Sequence, residues 1–176
     1  NNPDSSLGAA APISHGVPPN YSAIIYHQNR LFMNDPTNPS LVFWTDLGEP
    51  YTVNITSNFQ QVGDDSTDLV KGFAIYDNSL VVFCERSVTI GYMQDTTPSN
   101  WRWVVSKTPY GSKSPFALCN IDNKILFPAM DDGKFIGFAL FSGDTLEPDK
   151  TLLTVSSVGS DMKSNRIEPD VFAMLD

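Results

Sequence analysis

Short apolar runs alternate along this chain with polar stretches rich in turn formers, and apolar residues almost nowhere recur at helical spacing. Three runs share one form: an apolar strand, a turn containing Asn, then a second apolar strand. They are Ser22-Ala-Ile-Ile-Tyr-His-Gln-Asn-Arg-Leu-Phe-Met33, Phe73-Ala-Ile-Tyr-Asp-Asn-Ser-Leu-Val-Val-Phe83 and Phe116-Ala-Leu-Cys-Asn-Ile-Asp-Asn-Lys-Ile-Leu-Phe127. The turn residues Asn29, Asn78 and Asn123 stand 49 and 45 residues apart. Each is followed by one polar residue and then by Leu31–Phe32, Leu80–Val81 or Ile125–Leu126. Asn suits a tight hairpin because its short side chain bonds locally and it tolerates left-handed backbone angles.

Each unit continues into a third strand, predicted at 41–45, 87–92 and 135–141, and a fourth at 58–62, 101–106 and 151–156. Connectors such as Asp35-Pro-Thr-Asn-Pro39, Asp95-Thr-Thr-Pro-Ser-Asn100 and Asp131-Asp-Gly133 separate them. Four short strands repeating at roughly 45–50 residues is the spacing of β-propeller blades. The expected fold is therefore all-β, with about three four-stranded antiparallel repeats. The expected organisation is a polar lead-in over 1–21 and repeats over 22–157, divided at about 22–63, 64–107 and 114–157. A connector and the start of a further repeat follow over 158–176. There Phe172-Ala-Met-Leu-Asp176 matches the repeat opening Phe73-Ala-Ile-Tyr-Asp77. Three blades do not make an ordinary ring of four to eight, so the chain reads as a fragment of a larger propeller, in preference to a ring closed by pairing its last strand with an early one. Phe73, Ile75, Leu80, Val82, Ile125 and Phe127 recur at matching positions and are expected in the core. The nearly unbroken apolar runs 80–84 and 134–141 read as strands buried on both faces between stacked sheets.

Composition narrows the function. Of 176 residues, 41% are hydrophobic and 18% charged, and the formal net charge is −9. An acidic surface repels phosphate, which argues against tight nucleic-acid binding. The 13 Pro and 11 Gly are scattered at intervals, as many tight turns require. Cys84 and Cys119 both lie in apolar runs and are expected to be buried free thiols. No stretch approaches the ~20 apolar residues of a membrane span. Asn1 opens a polar stretch with no initiator Met, as in a processed or trimmed product.

Candidate chemistry is sparse. His15 and His27 have no Cys, His or carboxylate at ligand spacing and are expected to be ordinary surface residues. Gly63-Asp-Asp-Ser-Thr-Asp68 gathers oxygens but lacks the alternating ligands and central Gly of a twelve-residue calcium loop. It reads as a solvated acidic loop. Ser66, Ser87 and Ser114 lack nucleophile-elbow glycines, and there is no phosphate-cradling Gly loop or CxxC pair. Asn20-Tyr-Ser and Asn54-Ile-Thr fit the glycosylation pattern, which bears on a eukaryotic secretory context only. Trp44, Trp101 and Trp103 are expected in the core, ahead of a role as sugar-stacking rings. No catalytic, cofactor-binding or metal residue is assigned, no cofactor is expected, and the chain does not read as an enzyme.

Two stretches carry a resemblance. Arg30-Leu-Phe-Met-Asn-Asp-Pro-Thr-Asn-Pro-Ser-Leu-Val-Phe-Trp-Thr-Asp-Leu-Gly-Glu-Pro50 resembles a segment of propeller-bearing neck and tail proteins of tailed bacteriophages: nozzle, tail-tube or DNA-stabilising proteins. The stretch from Val62 through Gly72-Phe-Ala-Ile-Tyr-Asp-Asn-Ser-Leu-Val-Val-Phe-Cys-Glu-Arg-Ser-Val-Thr-Ile90 is similar to the blade that follows it there. The likeness spans 22–142, and its most specific part is Trp44-Thr-Asp-Leu-Gly48 combined with Arg86-Ser87. Such proteins are usually much longer than this chain. The resemblance implies a structural component of a virion, assembled in the host cytoplasm. Its partners would be itself and other neck or tail proteins, around a conduit through which DNA passes. The alternative is a carbohydrate- or receptor-binding propeller module of a phage tail or a lectin-like protein.

Overall fold

A computed structural model describes residues 21–35, 37–106, 110–114, 117–121, 124–131, 133–143 and 153–154. The chain is all-β. Its strands are β1 Ile24–His27, β2 Arg30–Asp35, β3 Asn38–Trp44, β4 Phe59–Gln61, β5 Val70–Tyr76, β6 Ser79–Cys84, β7 Val88–Tyr92, β8 Arg102–Val105, β9 Cys119–Ile121, β10 Lys124–Asp131, β11 Lys134–Phe141 and β12 Leu153–Thr154. A 3-10 turn at Pro98–Asn100 is the sole helical element among the described residues. The strands form three four-stranded sheets, β1–β4, β5–β8 and β9–β12, each an antiparallel meander in chain order. Phe172–Asp176, His15, Asn20 and Phe116 lie outside the described residues.

The hairpins follow from their turn residues. His27 pairs with Arg30 and Tyr76 with Ser79, leaving Gln28–Asn29 and Asp77–Asn78 as two-residue loops. All four loop residues have positive φ, at 47°, 58°, 42° and 60°. Positive φ at both positions is what a type I′ turn requires, and its twist matches that of the strands it joins. In the third sheet Ile121 pairs with Lys124, and Asn123 lies outside the described residues. Asn78→Ala places an ordinary Cβ in the left-handed region and should destabilise by roughly 1–2 kcal/mol. Asn78→Gly should be neutral or slightly stabilising in the same urea titration. An Ala variant as stable as the Gly variant would show that this backbone geometry is wrong.

Successive strand residues point to opposite faces, and β6 uses both. Leu80, Val82 and Cys84 pack with Phe32, Val42 and Trp44 of the first sheet. Val81 and Phe83 pack with Ile125, Phe127, Ala129, Ala139 and Phe141 of the third. The middle sheet therefore lies between the other two, which is why 80–84 is apolar without alternation. Each such side chain removed from water contributes about 1.5–3 kcal/mol.

The run 134–141 departs from the expectation of burial on both faces. Ala139 and Phe141 are buried against the middle sheet, but Phe135 and Ile136 are 39% and 41% exposed. No described sheet covers the other side of the third one. Phe73 and Ile75 are half-buried, less than expected, because β5 is the edge strand of its sheet. Leu80, Val82, Ile125 and Phe127 are fully enclosed.

A short segment ties the second and third sheets together. Gly111 exchanges backbone hydrogen bonds with Met130, and the Ser112 amide donates to the Cys84 carbonyl at 2.7 Å. A Cβ at Gly111 would sit 2.3 Å from the Glu85 backbone, so this close approach admits glycine alone.

Candidate functional site

The residues with most chemical potential gather in two places, the first facing inward and the second partly so. The first is the seam between the first two sheets. Trp44 comes from β3, Trp103 from β8 and Trp101 from the connection just before β8. Their rings meet with Phe32: Phe32–Trp101 centroids are 5.8 Å apart, Trp44–Trp101 5.1 Å and Trp44–Trp103 6.4 Å. Trp103 lies against Gly91, where a Cβ would come within 2.8 Å of the indole. Trp44 and Trp101 are buried, as expected of core residues, and Trp103 is half-buried against the same cluster.

Arg30 closes one end of this seam. It is buried, its guanidinium lies 5.6 Å from the centre of the Trp101 ring, and it donates to the carbonyls of Thr45 (2.6 Å) and Thr96 (3.1 Å). A buried cation over an aromatic face, with backbone acceptors on both sides, fastens the first sheet to the β7–β8 connection. The sequence pattern marked Arg30 only as the polar residue after the turn.

His27 is a correction. Expected on the surface, it is buried, and its Nε2–H donates to the Asn78 carbonyl at 3.2 Å. The first hairpin leans on the second, and that packing covers the imidazole. Burial lowers its pKa, and the bond to Asn78 offsets only part of the shift. The folded state thus prefers neutral His27, so stability is full above the unfolded pKa of about 6.5 and falls as pH drops through that value toward the lower folded pKa. In urea titrations at pH 7.5 and 5.5, the wild type should lose more stability on acidification than His27→Gln. Equal losses would show that the imidazole titrates normally in the folded chain.

The second place is the acidic loop, where the expectation of a solvated cluster is half right. Asp64 and Asp65 are exposed, but Asp68 is fully buried. Its carboxylate accepts from the Ser87 hydroxyl at 2.6 Å, the Arg86 amide at 2.9 Å and the Asp64 amide at 3.3 Å. Gly63, at φ +82°, leaves the space Asp68 occupies, since a Cβ there would lie 2.9 Å from the Asp68 Cβ. Asp65 pairs with Arg86 at 2.8 Å in solvent, and hydrogen bonds from the Thr67 hydroxyl and amide, with Arg86 adding, hold its carboxyl below the ordinary range. The Asp68 carboxylate faces inward and joins the loop to the β6–β7 turn. Ser87 donates its hydroxyl proton to Asp68 and has no imidazole beside it in the described structure, so the pair is not arranged as a nucleophile and base.

Other candidates are dispersed. Among the described residues no group of three or more His, Cys, Asp or Glu is placed to hold a metal ion. Both cysteines are free. Cys84 is buried as expected, whereas Cys119 is exposed, because β9 is an edge strand. Burial, with Asp68 adding, pushes the Cys84 thiol pKa up and keeps it protonated. Asn54 is exposed, but its side-chain oxygen accepts from the Thr56 amide and hydroxyl. Ser66 is exposed and Ser114 half-buried.

Two open hollows of about 310 and 300 Å³ flank the first sheet. Tyr26, Arg30, Thr45 and Pro50 help line one, and Asn34, Val70, Lys71 and Lys113 the other. Neither joins an acid to a base or a nucleophile. No helix among the described residues is long and apolar enough to cross a membrane. No protein-family model matches the chain, and no curated protein matches it at a significant level.

Proposed function

We propose that this chain is a structural component of a bacteriophage virion, a propeller-type module of the neck or tail conduit. One observation carries the reading: a sheet is buried on both faces between two sheets of the same repeat, and the distinctive side chains are used to hold that stack. Trp44, Trp101, Arg30, His27, Asp68 and Ser87 all turn inward. Function has to be argued from sites and not from the fold, and the commitment of these side chains to internal order supports a role played through shape.

Two further features support it. A formal charge of −9 repels phosphate, so DNA moves past such a surface without sticking. The resemblance of 22–142 to phage neck and tail segments also supports it; two of the residues that carry the resemblance, Arg86 and Ser87, hydrogen-bond Asp68.

The test is to raise antibody to the chain, probe particles purified after infection, and screen the isolated chain on a glycan array. The proposal expects the chain in particles and no saturable glycan binding. Absence from particles together with saturable binding to one glycan would replace it with the lectin-like reading. Presence in particles with glycan binding would make it a receptor-binding tail module.

A further inference from the structure

Among the described residues four buried side-chain nitrogen or oxygen atoms have no hydrogen-bond partner within the chain: Gln28 Oε1, Arg30 Nε, Trp44 Nε1 and Ser112 Oγ. Roughly nine in ten buried polar groups of folded proteins are partnered, so a group of such atoms in one place calls for a physical reason. Three of the four share the seam between the first and second sheets. Gln28 donates its Nε2–H to the Met93 carbonyl at 2.8 Å, and Arg30 donates through Nη2 to the Thr96 carbonyl at 3.1 Å. The Trp44 ring lies 5.1 Å from that of Trp101, and the Arg30 guanidinium 5.6 Å from the same ring. All three side chains therefore reach from the first sheet to the β7–β8 connection. Trp44 pairs with Phe32 across β3 and β2, and Arg30 lies two residues before Phe32. Arg30 and Trp44 are thus diagonal neighbours on one face of the sheet.

The chemistry of the three atoms selects what can join them. Arg30 Nε–H and Trp44 Nε1–H only donate, and Gln28 Oε1 only accepts. The bond from Gln28 Nε2 to Met93 fixes which end of that amide is the oxygen. An anion would take both donors but would face the lone pairs of the Gln28 oxygen. A partner that accepts two hydrogen bonds and donates one satisfies all three, and water is the smallest that does. Arg30 and Trp44 are 7% and 3% exposed, so a water between them is enclosed. Globular proteins hold about one such water per 27 residues, each with two to four polar partners.

We infer that the seam between the first and second sheets is a binding site for an ordered internal water, which accepts from Arg30 Nε and Trp44 Nε1 and donates to Gln28 Oε1. Bridged contacts of this kind are nearly as favourable as direct ones, and this one adds to the two carbonyl bonds by which Arg30 fastens the first sheet. The seam between the second and third sheets is built differently, with Val81, Phe83, Ile125 and Phe127 packed as an apolar cluster. Ser112 Oγ is the one orphaned atom outside the first seam, and with no second polar atom beside it in the same state it defines no site. The inference draws only on strands and connections that are described, and it is independent of the virion assignment.

Nuclear Overhauser spectra of the isotope-labelled chain in water test it. The Trp44 Nε1 and Arg30 Nε protons should both show cross peaks at the water frequency, opposite in sign between the laboratory and rotating frames, as a long-held molecule gives. Trp44→Phe assigns the indole peak by removing it; if that variant fails to fold, contacts to the Phe32 ring assign it instead. Gln28→Asn withdraws the acceptor, and Asn tolerates the positive φ of 47° at that position. The circular dichroism spectrum should then be unchanged and both water cross peaks should lose intensity. No water cross peak, or one at only a single proton, would overturn the inference by showing N–H groups directed at the Trp101 or Trp103 rings. Peaks of equal sign in the two frames, which mark proton exchange with bulk water, would overturn it as well. Peaks unaffected by Gln28→Asn would contradict the three-way bridge. An indole resonance that moves saturably with added chloride at constant ionic strength would put an anion in the site instead.

Discussion

Phe127→Ala is expected to lower the stability of this chain by about 3–5 kcal/mol, the range for deleting a fully buried phenyl ring. Phe127 is fully buried, its ring centre is 4.8 Å from that of Phe83, and its neighbours Ile125, Ala129, Ala139 and Phe141 come from the third sheet. Removing it opens a cavity in the seam between the second and third sheets, where strands tied by the Gly111–Met130 bridge have little room to collapse inward. For a chain of this size roughly 2–4 °C is lost per kcal/mol, so the melting point should fall on the order of 10 °C. Phe135→Ala is the internal control. That ring is 39% exposed on the far side of the same sheet, and its loss should cost well under half as much. An unchanged melting point in Phe127→Ala would mean that the register of β10 is misplaced by one residue, which reverses every side chain in the strand.

Asp68→Ala should be nearly as damaging, for a different reason. The carboxylate has no solvent exposure, and it is the acceptor for the Ser87 hydroxyl and the Arg86 amide. A buried donor left without a partner costs about 1–3 kcal/mol; the Ser87 hydroxyl is such a donor, and with a smaller share from the partly buried Arg86 amide the loss is on the order of 3 kcal/mol. The exposed Asp65–Arg86 pair adds little to this, because water and salt screen it. Asp68→Asn keeps a side-chain oxygen in the same place and should recover part of the loss. Ser87→Ala removes the partner and leaves Asp68 short of one bond, so it should be milder than Asp68→Ala. Denaturant titrations of the three variants check the order. Asp68→Ala within about 0.5 kcal/mol of wild type, the range for an ordinary surface change, would show that the acidic loop is a surface feature after all.

The strands were legible because the turn chemistry was explicit. Asn29 and Asn78 mark two-residue loops whose backbone only a few residue types adopt, and the apolar runs around them had the length and composition of strands. The middle sheet was legible too: Leu80 to Cys84 could be continuously apolar only if both faces were covered. What could not be read was which face of an apolar run lacks a cover. The run 134–141 resembles 80–84 in composition, and its exposure at Phe135 and Ile136 depends on what lies beyond the third sheet. Nor could single polar residues be placed. His27, Arg30 and Asp68 sit beside turns, where polar residues are ordinarily solvated, and only the approach of a neighbouring sheet or loop buries them. The partner of Asp68 is 19 residues away in Ser87, with no local pattern joining the two. Cys119 is exposed on an edge strand, and in sequence an apolar run there looks like one in a sheet interior.

The central claim is that the second sheet is held between the other two, with neighbouring residues on β6 facing different sheets. The most direct measurement is a methyl-to-aromatic nuclear Overhauser spectrum of the chain with labelled Leu, Val and Ile methyls. Leu80 and Val82 should show contacts to Phe32 and Trp44 of the first sheet. Val81, one residue from each, should instead contact the ring of Phe127 and the methyl of Ile125 in the third. Contacts from Leu80, Val81 and Val82 to one and the same sheet, or contacts confined to the second sheet itself, would contradict the stacked arrangement and the reading built on it.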